Sequence, residues 1–400
     1  MTGATIAQAV PFLAMPLLTR LYQPDDFGEV AIFIQVAQLL VVFATGRYDQ
    51  AIQLPRSHEH GGQLFALSRL FTWVISGTTL VVIAAIWSFT SIAVSHIYWL
   101  LPVLVFAMSG VQQETQWLMR HKEFTKIGTS KVGFVSASVP TRIAAGYLKL
   151  GSLGLVAGTL LGNLVSWAFL AWNGSKIRSG IEYSRAKMKV LAIEHKDFPI
   201  INSFHAMSDM SRELAMLFLI GAYFGQTALG WYAVAFRIVR APMMLIGAAI
   251  GQIFYQRASE QFASGGEIHS ITVKTMKLLL FVGIPLFAML AALGQNGFEF
   301  ILGSEYGEVG RVVRIMTPWL FLHLISSSLS QIPFILKEQK FFFKLGLAGN
   351  ILQVLAIAVG PYLFGQGEFY STLWLLTGAG VLFMVTFLFM INSKTKRFNT

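Results

Sequence analysis

The chain has no cysteine, so disulfides, thiolate metal sites and cysteine nucleophiles are excluded from the start. Charge is also scarce: Asp, Glu, Lys and Arg make up 12% of 400 residues, about half the share in ordinary soluble domains. No nucleotide-binding loop is present, because "GTSK" at 128–131 lacks both the first glycine and the following Ser or Thr of a Walker A pattern. HExxH and GxSxG are missing, and the eight histidines are dispersed. With outer connections too short to hold a catalytic domain, these absences disfavour an enzyme, and neither a metal nor an organic cofactor is expected.

Apolar sequence takes up the rest, with 55% of residues hydrophobic. Stretches of the length that a hydrocarbon core of roughly 30 Å demands of a helix are centred near residues 12, 37, 80, 107, 137, 162, 210, 240, 283, 323, 353 and 380. The expected fold class is therefore an all-α integral membrane protein with about twelve transmembrane helices. Residues 1–21 show no basic region, short apolar core and small-residue cleavage site in succession, and read as a retained first span.

The net charge of +11 is placed unevenly. Arg47, Arg56 and Arg69 follow span 2, Arg120, Lys122 and Lys126 follow span 4, and a basic run from Lys176 to Lys196 follows span 6. The connections after spans 8 and 10 and the C-terminus continue the pattern, whereas the opposite loops hold Asp25, Asp26, Glu299, Glu305, Glu308 and Glu368. By the positive-inside rule both termini are cytoplasmic. The surplus charge is a topology signal, and no nucleic acid is expected as a partner.

The longest hydrophilic connection falls almost at the midpoint. It divides the chain into an N-terminal lobe of six helices (1–173), a cytoplasmic loop (174–197) and a C-terminal lobe of six helices (198–400). An even number of spans per lobe implies a parallel repeat. At an offset of 202 residues, "YQPDDFGEVAIFIQVAQ" (22–38) lies over "FGQTALGWYAVAFRIVR" (224–240) without a gap, pairing Gly28 with Gly230 and Ala31 with Ala233. The same alignment sets Gln35 on Arg237 and Gln38 on Arg240. Small-residue spacings at Gly154, Gly158 and Gly162, and at Gly247 and Gly251, mark close helix contacts. Pro16, Pro140, Pro242, Pro285 and Pro318 interrupt spans and can bend them.

Arg237 and Arg240 stand near the middle of span 8, where each costs about 2.5 to 3.5 kcal/mol even on the lenient insertion scale. Their i, i+3 spacing puts them on one face. The acceptable surroundings are a water-filled cavity, a carboxylate partner or an anionic ligand, and carboxylates at that depth are few. Span 7 carries His205, Asp209, Arg212 and Glu213, which read either as a satisfied ion-pair network or as groups that couple transport to an ion gradient. Asn350 and Thr377 are candidate extra oxygen ligands. Arg142 on span 5 and Arg47 at the inner end of span 2 add to the intramembrane bases, while Glu114 on span 4 is expected at the cytoplasmic mouth. A cationic cleft of this kind suits a substrate with a phosphate or carboxylate head, which the planar fork of Arg binds in pairs.

The stretch "LLTRLYQPDDFGEVAIF" (17–33), followed by "RYDQAIQLP" (47–55), resembles the Wzx-type lipid-linked oligosaccharide flippases of the multidrug/oligosaccharidyl-lipid/polysaccharide (MOP) exporter superfamily. "YAVAFRIVRAP" (232–242) is similar to the span-8 signature of that branch. The resemblance implies two MATE-like lobes and alternating access. Its implied substrate is a polyprenyl pyrophosphate bearing an O-antigen or similar surface-polysaccharide repeat unit, moved from the cytoplasmic to the periplasmic leaflet of the bacterial inner membrane. It further implies Arg20, Arg47 and Arg237 as cationic positions; Arg240 is added from its spacing. On the coupling reading of span 7 a proton or sodium gradient is the candidate energy source, and membrane lipids and the polysaccharide polymerase with its chain-length machinery are candidate partners. Two other readings stay open: a drug or cation antiporter on the same fold, and a membrane-embedded polysaccharide polymerase or ligase.

Overall fold

The computed structural model describes residues 9–89 and 95–397, with the side chains of residues 201, 202, 204, 205 and 397 outside the description. His205, expected beside Asp209, is one of these. The described residues are helical throughout, without strands. Eight of their helices are long and apolar enough to cross a membrane by length and composition alone. One of the eight, residues 206–263, is two spans in one, because Gly225 (φ 84°, ψ 171°) interrupts it. Leu101–Arg120 and Phe124–Tyr147 have the length of spans but carry Gln112, Gln113 and Glu114, and Lys126, Lys131 and Arg142, which lower their mean hydropathy. Residue 12 falls in a short helical stretch, residues 9–13, ahead of Met15–Leu21, and the other eleven expected positions fall on helices.

In chain order the helices are α1 (Met15–Leu21), α2 (Pro24–Ala44), α3 (Tyr48–Ala51), α4 (His58–Phe89), α5 (Leu101–Arg120), α6 (Phe124–Tyr147) and α7 (Ser152–Arg178). They continue with α8 (Arg185–Glu194), α9 (Ser203–Ala263), α10 (Ile268–Leu302), α11 (Gly307–Ser328), α12 (Ile332–Ile335), α13 (Gln339–Phe364) and α14 (Phe369–Arg397). The chain forms two compact units, Met1–Leu214 and Ala215–Thr400.

In the first unit α2, α4, α5 and α7 share a core of Phe33, Ala37, Val41, Ile83, Leu104, Val105 and Val156. The α6–α7 pair approaches most closely where the sequence has its glycine spacing. A Cβ on Gly158 would lie 2.8 Å from the Ser138 carbonyl oxygen, and one on Gly154 would lie 2.7 Å from the Ala145 Cβ. The turn between α1 and α2 is built by Pro24 at the first helical turn and a capping box, in which the Gln23 N–H donates to the Asp26 carboxylate at 2.9 Å. The connection expected as a plain loop contains the helix α8, which buries Leu191 against Tyr48, Leu64 and Trp117. Its pattern of basic and apolar residues had masked a helix with one inward face.

In the second unit α11 is the most enclosed span, with Val309, Val312, Val313, Met316, Trp319, Leu320 and Leu324 all buried. It packs against α10 and α14. Gly310 of α11 meets the backbone of α10 at Gly294, where α10 leaves helical geometry (φ 54°, ψ −162°). The two breaks in long helices, at Gly225 and Gly294, thus lie at glycines and not at the prolines, which remain inside continuous helices at Pro140, Pro242, Pro285 and Pro318.

Candidate functional site

The candidate residues divide between the two units. In the first unit, α2 ends at Ala44 because Gly46 and Arg47 both take positive φ, near 54°. That break strands the last carbonyls of the helix. Two hydroxyls from α4 meet them: Ser68 donates to the Thr45 carbonyl and Thr72 to that of Ala44, each at 2.9 Å. Gln113 of α5 then donates to both hydroxyls, at 2.9 and 2.8 Å. The result is a fully buried polar layer at the end of α2.

Beside it Asp49 is buried and accepts from Gln112 Nε2 at 2.8 Å. Burial pushes the Asp49 carboxyl above the usual carboxylate range, and Thr45, Gln112 and the Arg47 charge oppose that push only in part. Arg47 itself is half-buried, with an Nε that has no hydrogen-bond partner. The sequence pattern singles out Arg47 and passes over Asp49, Gln112 and Gln113. Three amides and a carboxylate within "QQETQ" are the signal that could have found this layer.

Glu114 does not face an opening. It is 1% exposed and receives a bidentate pair from Arg178, Nη1–Oε2 2.7 Å and Nη2–Oε1 2.9 Å, with the guanidinium lying 4.0 Å over the Phe65 ring. The correction has a simple cause, since a carboxylate at that depth is retained only against a paired cation.

Arg142, expected to contact substrate, lies between α6 and α7. It is 7% exposed, donates to Thr159 Oγ1 at 2.9 Å, and its carbonyl accepts the Tyr22 hydroxyl at 2.5 Å. Burial raises the pKa of that Tyr22 hydroxyl to about 12. Gln35 is buried and donates to the Met210 carbonyl at 3.1 Å, Gln38 is half-buried, and Arg20 is exposed in the last turn of α1.

In the second unit Arg237 and Arg240 are both exposed, on a helix whose Val234, Ala235, Ile238 and Val239 are buried. Counting from the Gly225 break at 1.5 Å per residue, they stand about 18 and 22 Å along the span. Arg237 makes no hydrogen bond or ion pair among the described residues, and Arg240 lies 5.6 Å over the Phe236 ring. An exposed guanidinium at such a depth requires water or an anion beside it.

Asp209 is exposed and Glu213 half-buried in the first turns of α9. Thr377 of α14 is buried with an unpartnered hydroxyl, and Asn350 of α13 is half-buried. Among the described residues no group of three or more His, Asp or Glu side chains is placed to hold a metal.

Residues 17–311 match the model of a family described as polysaccharide biosynthesis protein. No curated protein matches the chain. Solved structures similar to it include an inward-facing multidrug resistance MATE family transporter of the MOP superfamily, at 14% identity over 98% of each chain with a TM-score of 0.72. The lipid II flippase MurJ in an inward closed conformation shares 13% identity over 100% of this chain and 89% of its own, with a TM-score of 0.75. A MOP superfamily transporter from Pyrococcus furiosus shares 13% identity over 100% and 94%, with a TM-score of 0.59. At these identities the likeness establishes the fold, an all-helical multi-pass membrane fold common to MOP transporters.

Proposed function

This chain belongs to the polysaccharide biosynthesis protein family, and on that premise we propose that it is a flippase for polyprenyl-pyrophosphate-linked oligosaccharide. It carries a repeat unit of O-antigen or another surface polysaccharide from the cytoplasmic to the periplasmic leaflet of a bacterial inner membrane. One observation supports this most: Arg237 and Arg240 are exposed on one face of α9 at mid-span depth. Facing lipid tails, the two would oppose insertion by about 5 to 7 kcal/mol. Facing a pyrophosphate or acidic sugars, each guanidinium makes paired, charge-assisted hydrogen bonds, and it stays charged at every physiological pH.

On this reading Arg237 and Arg240 of the second unit meet the anionic head group, while Arg47 and Arg20 are the cationic positions of the first unit and Gln38 its amide for sugar hydroxyls. Arg142 and Gln35 hold the helices that present them. The chain hydrolyses no nucleotide. A proton or sodium gradient drives the cycle through Asp209 and Glu213, with Asn350 and Thr377 as oxygen donors. The polymerase and chain-length machinery receive the product at the outer face.

The test is transport of a purified lipid-linked repeat unit in proteoliposomes, with and without an imposed ion gradient. Gradient-dependent appearance of the sugar on the far leaflet is expected from the parent chain, and none from the Arg237→Ala, Arg240→Ala pair. Equal transport by both would remove the basis of the proposal. Deletion of the gene in its host should leave single lipid-linked units on the cytoplasmic face; accumulation on the outer face would instead identify a polymerase or ligase.

A further inference from the structure

A cavity of about 850 Å³ opens on the first unit between α4 and α8, lined mainly by apolar surface. Phe65, Arg69, Leu70 and Trp73 contribute from α4, and Arg185 and Lys189 from α8. None of its lining residues is acidic.

Its depth can be read from α4. From Leu70 to Phe89 this helix exposes Leu70, Trp73, Val74, Leu80, Val81, Val82, Trp87 and Phe89, whereas before Arg69 its exposed side chains include His58 and His60. Twenty residues at 1.5 Å span about 30 Å, the thickness of a hydrocarbon core. Arg69 therefore sits at one boundary of that core, on the side of the basic connections, with Trp73 one turn further in at the position of an interfacial aromatic.

The second wall lies at the same level. Helix α8 turns Leu191 inward and leaves Val190 and Ile193 exposed beside Arg185 and Lys189, as a helix in the head-group plane does. Arg69 is held 5.2 Å from the Phe106 ring and 5.1 Å from that of Trp167, and its Nη1 is buried with no hydrogen-bond partner. The acid whose charge reaches it, Glu114, already has both oxygens engaged by Arg178. Arg185 and Lys189 make no ion pair among the described residues.

We propose that this cavity binds one anionic phospholipid of the cytoplasmic leaflet. Its phosphate is held by Arg69, Arg185 and Lys189, and its acyl chain lies along Leu70 and Trp73. Three cations without an acid select a negative head group, and the open apolar wall toward the bilayer selects a lipid over a soluble phosphate. The site requires a membrane-spanning chain and does not depend on the flippase reading.

Native mass spectrometry of the purified full chain provides the test, with phosphatidylglycerol and phosphatidylcholine offered at equal concentration. Phosphatidylglycerol should be retained preferentially. Arg185→Gln and Lys189→Gln, both at exposed positions where folding is not at stake, should each weaken it about fivefold; adding Arg69→Gln should remove the preference. Lys274→Gln with Lys277→Gln, a basic pair elsewhere in the chain, should change nothing. Undiminished retention by the α8 variants would overturn the proposal, as would equal loss on changing Lys274 and Lys277, or displacement by inorganic phosphate. Competition by a polyprenyl pyrophosphate at lower concentration than phosphatidylglycerol would also overturn it, by assigning the cavity to the transported lipid. That result leaves the transport assay to stand or fall by itself.

Discussion

Arg178 of α7 holds Glu114 of α5 by both of its outer nitrogens, at 2.7 and 2.9 Å, in surroundings where the carboxylate is almost wholly enclosed. Removing one partner strands the other. Glu114→Gln should therefore lower the stability of the detergent-solubilised protein by about 3 to 5 kcal/mol. Replacing both, as Glu114→Leu with Arg178→Met, should recover most of the loss. Thermal melts of Glu114→Leu, Arg178→Met and the double variant check the cycle; additive losses would show that the pair does not act as a unit.

The hydroxyl layer at the end of α2 makes a milder prediction. Gln113→Leu withdraws two donated hydrogen bonds from Ser68 and Thr72. Interhelical hydrogen bonds in membranes average about 0.6 kcal/mol, with an upper range near 1.7. A loss of about 1 to 3 kcal/mol is expected, read from the same melts.

Backbone proximity in the second unit should be far less forgiving. A Cβ on Gly310 would fall 2.1 Å from the Gly294 carbonyl oxygen, an atom that no rotamer change can move. Gly310→Ala should lower stability by at least about 3 kcal/mol. A Cβ on Gly346, inside α13, would meet nothing within 4 Å, so Gly346→Ala should leave the protein as stable or raise its stability by up to about 1 kcal/mol. Expression and melting of the two alanine variants compare the sites directly.

Asp49 predicts a pH dependence. Its carboxyl is raised by burial, so between the unfolded-state value near 4 and the higher folded value the native chain keeps a proton that the unfolded chain has released. Stability contributed by this group is full below that window, falls as pH rises through it, and is level above. Asp49→Asn should abolish that component of the slope while keeping the Gln112 contact through its amide oxygen. Melts of both proteins across mildly acidic to neutral pH measure the difference.

For the proposed transport, Arg237→Lys separates charge from shape. Lysine keeps the cation but lacks the paired donors, and desolvation shifts its pKa readily. Transport in proteoliposomes should fall severalfold with Arg237→Lys and be lost with Arg237→Ala together with Arg240→Ala.

Hydropathy made the spans legible because a bilayer demands about twenty apolar residues from each, whatever their neighbours. The glycine spacing on α7 was equally readable, since a backbone can approach Gly154 and Gly158 only where side chains are absent. Long-range pairing was not. Nothing local in "QQETQ" says that Glu114 meets Arg178, 64 residues later, or that Gln35 donates to Met210, 175 residues away. The helix breaks were hidden for a related reason: a proline announces itself by what it lacks, whereas Gly225 and Gly294 differ from other glycines only in the torsions they take. Arg237 and Arg240 were readable as anomalies, because a cation amid Val and Ile needs an explanation before any coordinate is known.

Gly225 is the whole of the connection between helical residues 203–224 and the helix that bears Arg237. A single residue offers two soft dihedrals and no slack. The corner is therefore short but free to turn, so rotation about the two Gly225 torsions re-aims the guanidiniums without lengthening the connection.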